Sequence, residues 1–237
     1  MIAASREFVC VRPQTFEDAA ESKFLLSVFA GRNELQNTVF ALLDSDGKKL
    51  SRGSRSPEMT FKSVERFVEE LNEVSSGHSG AKKIEALPVL KSLRLALNVS
   101  AADLRPLVVI RGKDAKAAEK LSASVASIAW SKEAIGRFHY VVLSEEVTQE
   151  GLTPELGVSV VQPEVYGRGG EILARVKPNA SSRSLSRLLA DGLEAHDPPA
   201  KDYERHVRNG RREEVRWETE TSRLDGESKG EGSDDPE

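Results

Sequence analysis

Apolar positions along this chain recur at two spacings, and one arrangement of them occurs twice. Asn37-Thr38-Val39-Phe40-Ala41-Leu42-Leu43-Asp44-Ser45-Asp46-Gly47-Lys48-Lys49-Leu50 has the pattern of a strand, an Asp-Gly turn and a second strand. A helix follows over about residues 62–74, with Val64, Phe67, Val68 and Leu71 on one face. About 120 residues later, Val158-Ser159-Val160-Val161 leads through a turn at Tyr166-Gly167-Arg168-Gly169-Gly170 into Glu171-Ile172-Leu173. Another helix then carries Leu185, Leu188, Leu189 and Leu193 on one side and ends near His196. The repeated unit is therefore a hairpin closed by a helix.

The remaining elements sort around these two units. Phe8-Val9-Cys10-Val11 is a short β-prone run, and Thr15 with Asp18 has the form of a capping pair for a helix bearing Phe24, Leu25, Val28 and Phe29, which stops near Gly31. Ser75-Ser76-Gly77-His78-Ser79-Gly80-Ala81-Lys82-Lys83 is small and polar and predicts a linker. Residues 87–97 predict a helix, and Pro106-Leu107-Val108-Val109-Ile110 is the continuous apolar run of a strand buried on both faces. Gly112-Lys113-Asp114 opens a helix with Ala118, Leu121, Val125 and Ile128 inward, and Tyr140-Val141-Val142-Leu143 is the next strand. Beyond Pro198-Pro199, residues 203–217 have helical character, while residues 225–237 have the polar, acidic composition of disorder.

Composition narrows the function classes. The chain has 237 residues and a formal charge of −4, which gives no general attraction to nucleic acid or anionic lipid. That charge is unevenly placed: residues 197–237 hold 13 acidic and 8 basic side chains, a net of −5, so the preceding residues are +1. No run approaches the ~18 apolar residues of a membrane span, and the first residues lack the apolar core of a secretory signal. A cytoplasmic protein without membrane contact is expected. Cys10 is the only cysteine, which excludes an internal disulfide and a cysteine-built zinc site within one chain.

The second block, strand–helix–strand–loop–strand–strand–helix, resembles the thioredoxin-like superfamily over roughly residues 100–196, and the first block resembles the latter part of that fold over residues 6–74. The resemblance implies an α/β fold of two tandem thioredoxin-like domains, each a mixed sheet flanked by helices, the first one partial. The expected boundaries are residues 1–74 for the partial domain, 75–83 for the linker, 84–197 for the second domain and 198–237 for a charged, mostly disordered tail. Redox-active members of the superfamily carry Cys-x-x-Cys at the start of the helix after the central strand, where the helix N-terminus activates the first thiol. Here Arg111-Gly112-Lys113-Asp114-Ala115-Lys116 stands in that place, without a thiol. The family also places a cis-proline at the start of the first hairpin strand; Pro163 lies near that place in the second block, and Asn37 matches it in the first. The first block lacks a central strand to join its third and fourth strands, whose edges then need a partner. Another part of the chain, a second chain, or a protein segment encoded upstream of Met1 would supply it, and the last is the favoured expectation.

Candidate sites are few. Cys10, in an alternating apolar run, is a candidate reactive thiol, although burial as an inert strand residue is the simpler expectation. Asp44-Ser45-Asp46-Gly47 begins like a calcium loop, but the twelfth position is Arg55 rather than a bidentate acid, and a hairpin turn explains it. Gly167-Arg168-Gly169-Gly170 runs into a strand and not a helix, so it is no phosphate cradle. His78, His139, His196 and His206 have no metal-ligand spacing. Arg205-His206-Val207-Arg208-Asn209-Gly210-Arg211-Arg212 is the densest basic patch, interrupted by acids and followed by Val215 and Trp217, through which such an arm would dock. Pro163, Arg211, Arg212 and Trp217 are the candidate partner-binding residues.

The resulting expectation is a non-catalytic, redox-inactive thioredoxin-like protein that binds another protein or self-associates, with no cofactor, no metal and no nucleic-acid partner. The alternative is a thiol–disulfide oxidoreductase whose catalytic Cys-x-x-Cys segment is absent from this chain.

Overall fold

A computed structural model describes residues 2–5, 7–8, 11, 13, 18–28, 40–44, 46–51, 53–54, 56–77, 86–200 and 202–215. The chain divides into two compact units, Met1–Lys82 together with Trp217–Glu237, and Lys83–Arg216.

The first unit contains α1 (Ile2–Ser5), α2 (Ala19–Val28), α3 (Pro57–Phe61) and α4 (Val64–Gly77). Asp18 caps α2: its Oδ1 accepts the Ala20 N–H at 2.8 Å and the Glu21 N–H at 3.1 Å, while Thr15 lies outside the described residues. The core is Leu42, Phe61, Phe67 and Leu71, with Phe40, Val68 and Val74 packed against it. Phe61 stacks on Phe67 at 4.9 Å between centroids, and Phe40 meets Phe67 edge-on at 5.3 Å.

Several expectations for this unit are corrected. Val64 and Phe24 are exposed, whereas Phe67, Leu71 and Val28 are buried as expected. The expected linker begins later, because α4 continues through Gly77. The anticipated turn at Asp44–Gly47 is present, and among the described residues its arms pair through two isolated antiparallel bridges, Phe40 with Ser54 and Leu43 with Lys49, with residues 37–39 outside them. Side chains bond the backbone there beside the remaining backbone bonds: the Leu42 N–H donates to Ser51 Oγ at 2.8 Å, and Asp44 Oδ1 accepts the Asp46 and Lys48 N–H groups at 2.9 and 2.8 Å. Among the described residues this unit has no longer strand, so they do not form the partial sheet that was expected. Phe8 and Val11 are also outside any strand, with Val11 well exposed.

The second unit has an α/β architecture with a mixed five-stranded sheet. Its elements are β1 (Val89–Leu90), α5 (Leu93–Asp103), β2 (Leu107–Arg111), α6 (Ala115–Ala129), β3 (His139–Leu143), β4 (Gly157–Pro163), β5 (Gly170–Val176), α7 (Ser182–Ala195) and α8 (Tyr203–Arg212). The strand order is β1-β3-β2-β4-β5. β1, β3 and β2 are parallel, and β4 is antiparallel to both β2 and β5. The expected helix over residues 87–97 is shortened at its start: Val89 and Leu90 pair with Tyr140 and Val141, and α5 begins after Ser92, whose Oγ accepts the Leu95 N–H at 3.2 Å.

Alternation along the strands divides the core into two layers. Val108, Ile110, Tyr140, Val158 and Val160 face α6 and α7, meeting Leu121, Val125, Leu185 and Leu188. Leu107, Val109, Val141 and Val161 face α5, meeting Leu93, Ala96 and Leu97. Ala118, Leu121 and Val125 are buried, and Ile128 packs at the margin of the first layer.

Two outcomes follow. Val109 is 1% exposed, and Val109→Asp buries an unpaired carboxylate at a cost of several kcal/mol, comparable to the stability of a domain. Chemical denaturation of the full chain is expected to lose the unfolding transition of the second unit. The second outcome concerns Tyr140, whose hydroxyl is buried with no hydrogen-bond partner. Burial pushes its pKa well above the ordinary value. Above about pH 10 the unfolded chain releases this proton while the folded chain keeps it, so its contribution is intact below that pH and is lost as pH rises further. Tyr140→Phe is expected to raise stability by about 1–2 kcal/mol and to flatten the loss between about pH 9 and 11, measured by urea melts across that range.

Candidate functional site

Two places in the second unit bring chemistry-bearing residues together. The first is the end of the central strand. Arg111, the last residue of β2, is 13% exposed in its side chain. Its Nη1 donates to the Pro154 carbonyl at 2.6 Å and its Nη2 to Glu146 Oε2 at 2.9 Å. One guanidinium thus ties β2 to both ends of the single loop that joins β3 to β4. The Gly112 N–H donates to the Leu143 carbonyl at 3.0 Å. A Cβ on Gly112 would lie 2.2 Å from the Ala118 nitrogen, so only glycine lets the chain turn this closely into α6. Asp114 caps α6, its Oδ1 accepting the Ala117 N–H at 2.8 Å. The helix N-terminus therefore meets a carboxylate of its own chain. Lys113 and Leu156 stand exposed beside this junction.

The second place is the turn between β4 and β5. Glu164 organises it: its Oε2 accepts the Tyr166 N–H at 2.9 Å, and its Oε1 pairs with Arg168 Nη2 at 3.3 Å. Arg168 also pairs with Glu213 at 3.1 Å and lies over the Tyr166 ring at 5.5 Å. The hydrogen bond to Glu164 holds the Arg168 guanidinium still more firmly protonated. Tyr166 is gripped from both sides. Asn98 Nδ2 on α5 donates to its carbonyl at 3.3 Å, and its hydroxyl donates to the His206 carbonyl on α8 at 3.0 Å. The Tyr166 and His206 rings lie 4.6 Å apart. A Cβ on Gly210 would lie 3.2 Å from the Tyr166 ring, so glycine at this point of α8 permits the close approach.

The structure corrects two expectations here. Pro163 is the last residue of β4, opposite Gly170, and not at the strand's start. Pro154 is the proline at the leading end, and there is no cis peptide bond among the described residues. Helix α8 docks through His206, Gly210 and the Glu213 cap; residues 198–215 thus pack as part of the second unit, beyond the boundary expected at residue 197. Arg211 and Arg212 are exposed on α8. Cys10 and Trp217 lie outside the described residues, as do His78, Asn37 and Arg55.

Pro163 lines a small cavity of about 10 Å³ with Ser100, His196, Pro198 and Pro199. That is room for about one water molecule and no larger ligand. The histidines stay separate: His139 Nε2 is 3.0 Å from Asp103 Oδ2, while His196 Nε2 meets the Leu104 carbonyl at 3.2 Å. Among the described residues no group of three histidine, cysteine or acidic side chains has metal-binding geometry, and no helix is long and apolar enough to cross a membrane. Sequence reasoning missed Arg111 as the tie between β2 and the β3–β4 loop, and Tyr166 and Gly210 as a contact pair. An arginine ending an apolar strand and an aromatic residue inside a Gly-rich turn were the available signals. Comparison of the chain with protein-family models, curated proteins and solved structures gave no match.

The docking contact is testable. Isolated helices of this length are marginal in water, so α8 depends on Tyr166. Tyr166→Phe removes one hydrogen bond, worth about 1 kcal/mol, and Gly210→Val drives two methyls towards the ring. Hydrogen exchange of residues 203–215 is expected to accelerate in both, more in Gly210→Val, while amides of β2 stay protected. Unchanged exchange in Gly210→Val would mean that α8 holds by other contacts.

Proposed function

We propose that this chain is a thioredoxin-like protein whose second unit binds another polypeptide instead of exchanging thiols. The reading is supported by topology and by what stands at the critical junction. β2 separates β3 from β4, which is the arrangement the resemblance implies, and the helix after the central strand begins where redox-active members carry their thiols. The observation that carries the proposal is Arg111: a guanidinium bonded to Pro154 and Glu146 stands immediately before that helix. Lys113 and Leu156 provide a cation and an apolar contact next to it, a combination suited to an extended peptide bearing an acid and an apolar side chain.

The test has two arms. In the first, the protein and its Cys10→Ser variant are added to a dithiothreitol-driven insulin reduction, and neither is expected to exceed the rate with reductant alone. In the second, peptides selected from a random library on the full chain are measured against Lys113→Glu and Leu156→Asp. Both variants are expected to keep the wild-type melting temperature and to weaken peptide binding at least tenfold, about 1.4 kcal/mol. Cys10-dependent reduction, or peptides that bind both variants as well as wild type, would overturn the reading.

A further inference from the structure

Asn209-Gly210 is the chain's one Asn-Gly pair, and it lies where α8 meets the Tyr166 ring. Glycine has no side chain to crowd its own nitrogen. In an open chain that nitrogen reaches the side-chain carbon of a preceding asparagine readily. The helix withholds this approach. Helical geometry aims the Gly210 N–H along the axis, towards the carbonyl of His206, and the Tyr166 hydroxyl donates to that same carbonyl at 3.0 Å. Asn209 is restrained at both of its oxygens: the backbone carbonyl accepts the Glu213 N–H at 2.9 Å, and Oδ1 accepts from Arg212 Nη2 at 3.3 Å. These restraints last only while α8 stays wound. A helix of this length is marginal by itself, and Gly210 is its only buried residue. Opening α8 therefore takes far less free energy than unfolding the sheet.

We propose that Asn209 is a site of spontaneous deamidation, gated by the opening of α8 and acting as an irreversible release of that helix. In the opened segment the Gly210 amide gives up its proton, and its nitrogen forms a bond to Asn209 Cγ. The Cγ–Nδ2 bond breaks and ammonia leaves with that proton, so a five-membered imide remains. Water then opens the ring at either carbonyl. Attack at Cγ restores the ordinary backbone and yields aspartate; attack at the main-chain carbonyl yields isoaspartate, whose backbone runs through the former side chain. The net change is one water consumed and one ammonia released. Isoaspartate adds a methylene to the main chain, which breaks the helical ladder at the residue before Gly210. Gly210 then loses its seat at Tyr166, where even a Cβ would stand 3.2 Å from the ring, and Glu213 is carried away from Arg168. A helix attached by one ring and one ion pair does not outlast the loss of both. The released state bares the Tyr166 ring and leaves Arg168 to Glu164. This inference is independent of the peptide-binding surface proposed beside Lys113.

The experiment ages the full chain in buffer and, separately, unfolded in urea. The peptide spanning residue 209 is followed by mass spectrometry, with fragmentation that tells the two linkages apart. In urea, Asn209 is expected to convert well ahead of Asn98 and Asn179. In buffer its conversion is expected to be slower by roughly tenfold or more, because reaction is confined to the open fraction. Tyr166→Phe is expected to quicken it about fivefold in buffer and to leave the rate in urea unchanged. Aged chains that carry isoaspartate are then isolated. Hydrogen exchange of their residues 203–215 is expected to reach the unprotected rate while β2 stays protected. Asn209→Asp, which adds the charge without the methylene, should keep most of the protection. Conversion at Asn209 no faster than at Asn98 in urea overturns the site. Equal rates in buffer and urea, or no effect of Tyr166→Phe, overturn the gating. Isoaspartate chains with unchanged exchange in α8, or Asn209→Asp losing protection as fully, overturn the release.

Discussion

Five residues of β2 hold the second unit together because they are needed on four sides at once. Leu107–Arg111 is paired along one edge with β3 and along the other with β4. Its side chains alternate between the layer facing α6 and α7 and the layer facing α5. Val108, Val109 and Ile110 are almost wholly removed from water, each contributing roughly 1.5–3 kcal/mol. A strand so placed tolerates no polar group on either face and no break in either ladder. The same constraint sets the position of the junction that follows it. Arg111 is the first residue of the strand's path with a polar end, and it carries that charge to the Pro154 carbonyl and Glu146 at the rim.

Because β2 is apolar on both faces, it was the most legible element in the sequence; a run of four apolar residues between Pro106 and Arg111 admits little else. The helices α6 and α7 were legible for a related reason, since their leucines and valines recur at helical spacing and face a single core. β1 was not legible. Its two residues have no periodicity, and they become a strand only by pairing with Tyr140 and Val141. The first unit misled in the opposite direction. Its Asp-Gly pattern is that of a hairpin, and the turn forms, but among the described residues its arms keep only isolated bridges while Ser51 and Asp44 offer side-chain oxygens to the backbone. Propensity counts the residues that favour a turn, and it does not register that the same residues compete with the strands leaving it.

The candidate site was legible in its composition and obscure in its geometry. The absence of thiols at residues 111–116 and the basic character of residues 205–212 are both plain in the sequence. Nothing in the sequence says that Pro163 ends β4, because strand ends depend on which residue of β5 lies opposite. Nor does it say that an arginine at the end of β2 will clamp two points of one loop, each more than thirty residues further along the chain.

Where the second unit stops is also a matter of packing and not of composition. Pro198-Pro199 and the charged run after it have the composition of a boundary. Instead the Asp197 backbone exchanges two hydrogen bonds with the Gln162 side chain, at 2.8 and 2.9 Å, and fixes the chain against the end of β4. The prolines then redirect it without needing donors of their own. Helix α8, which buries only Gly210, settles on an aromatic ring and an ion pair. Such a helix adds little apolar burial to the unit, so its attachment rests on polar contacts that salt and sequence can adjust. The helix is held by the side that bears His206 and Gly210, which leaves Arg205, Arg208, Arg211 and Arg212 exposed on its other side.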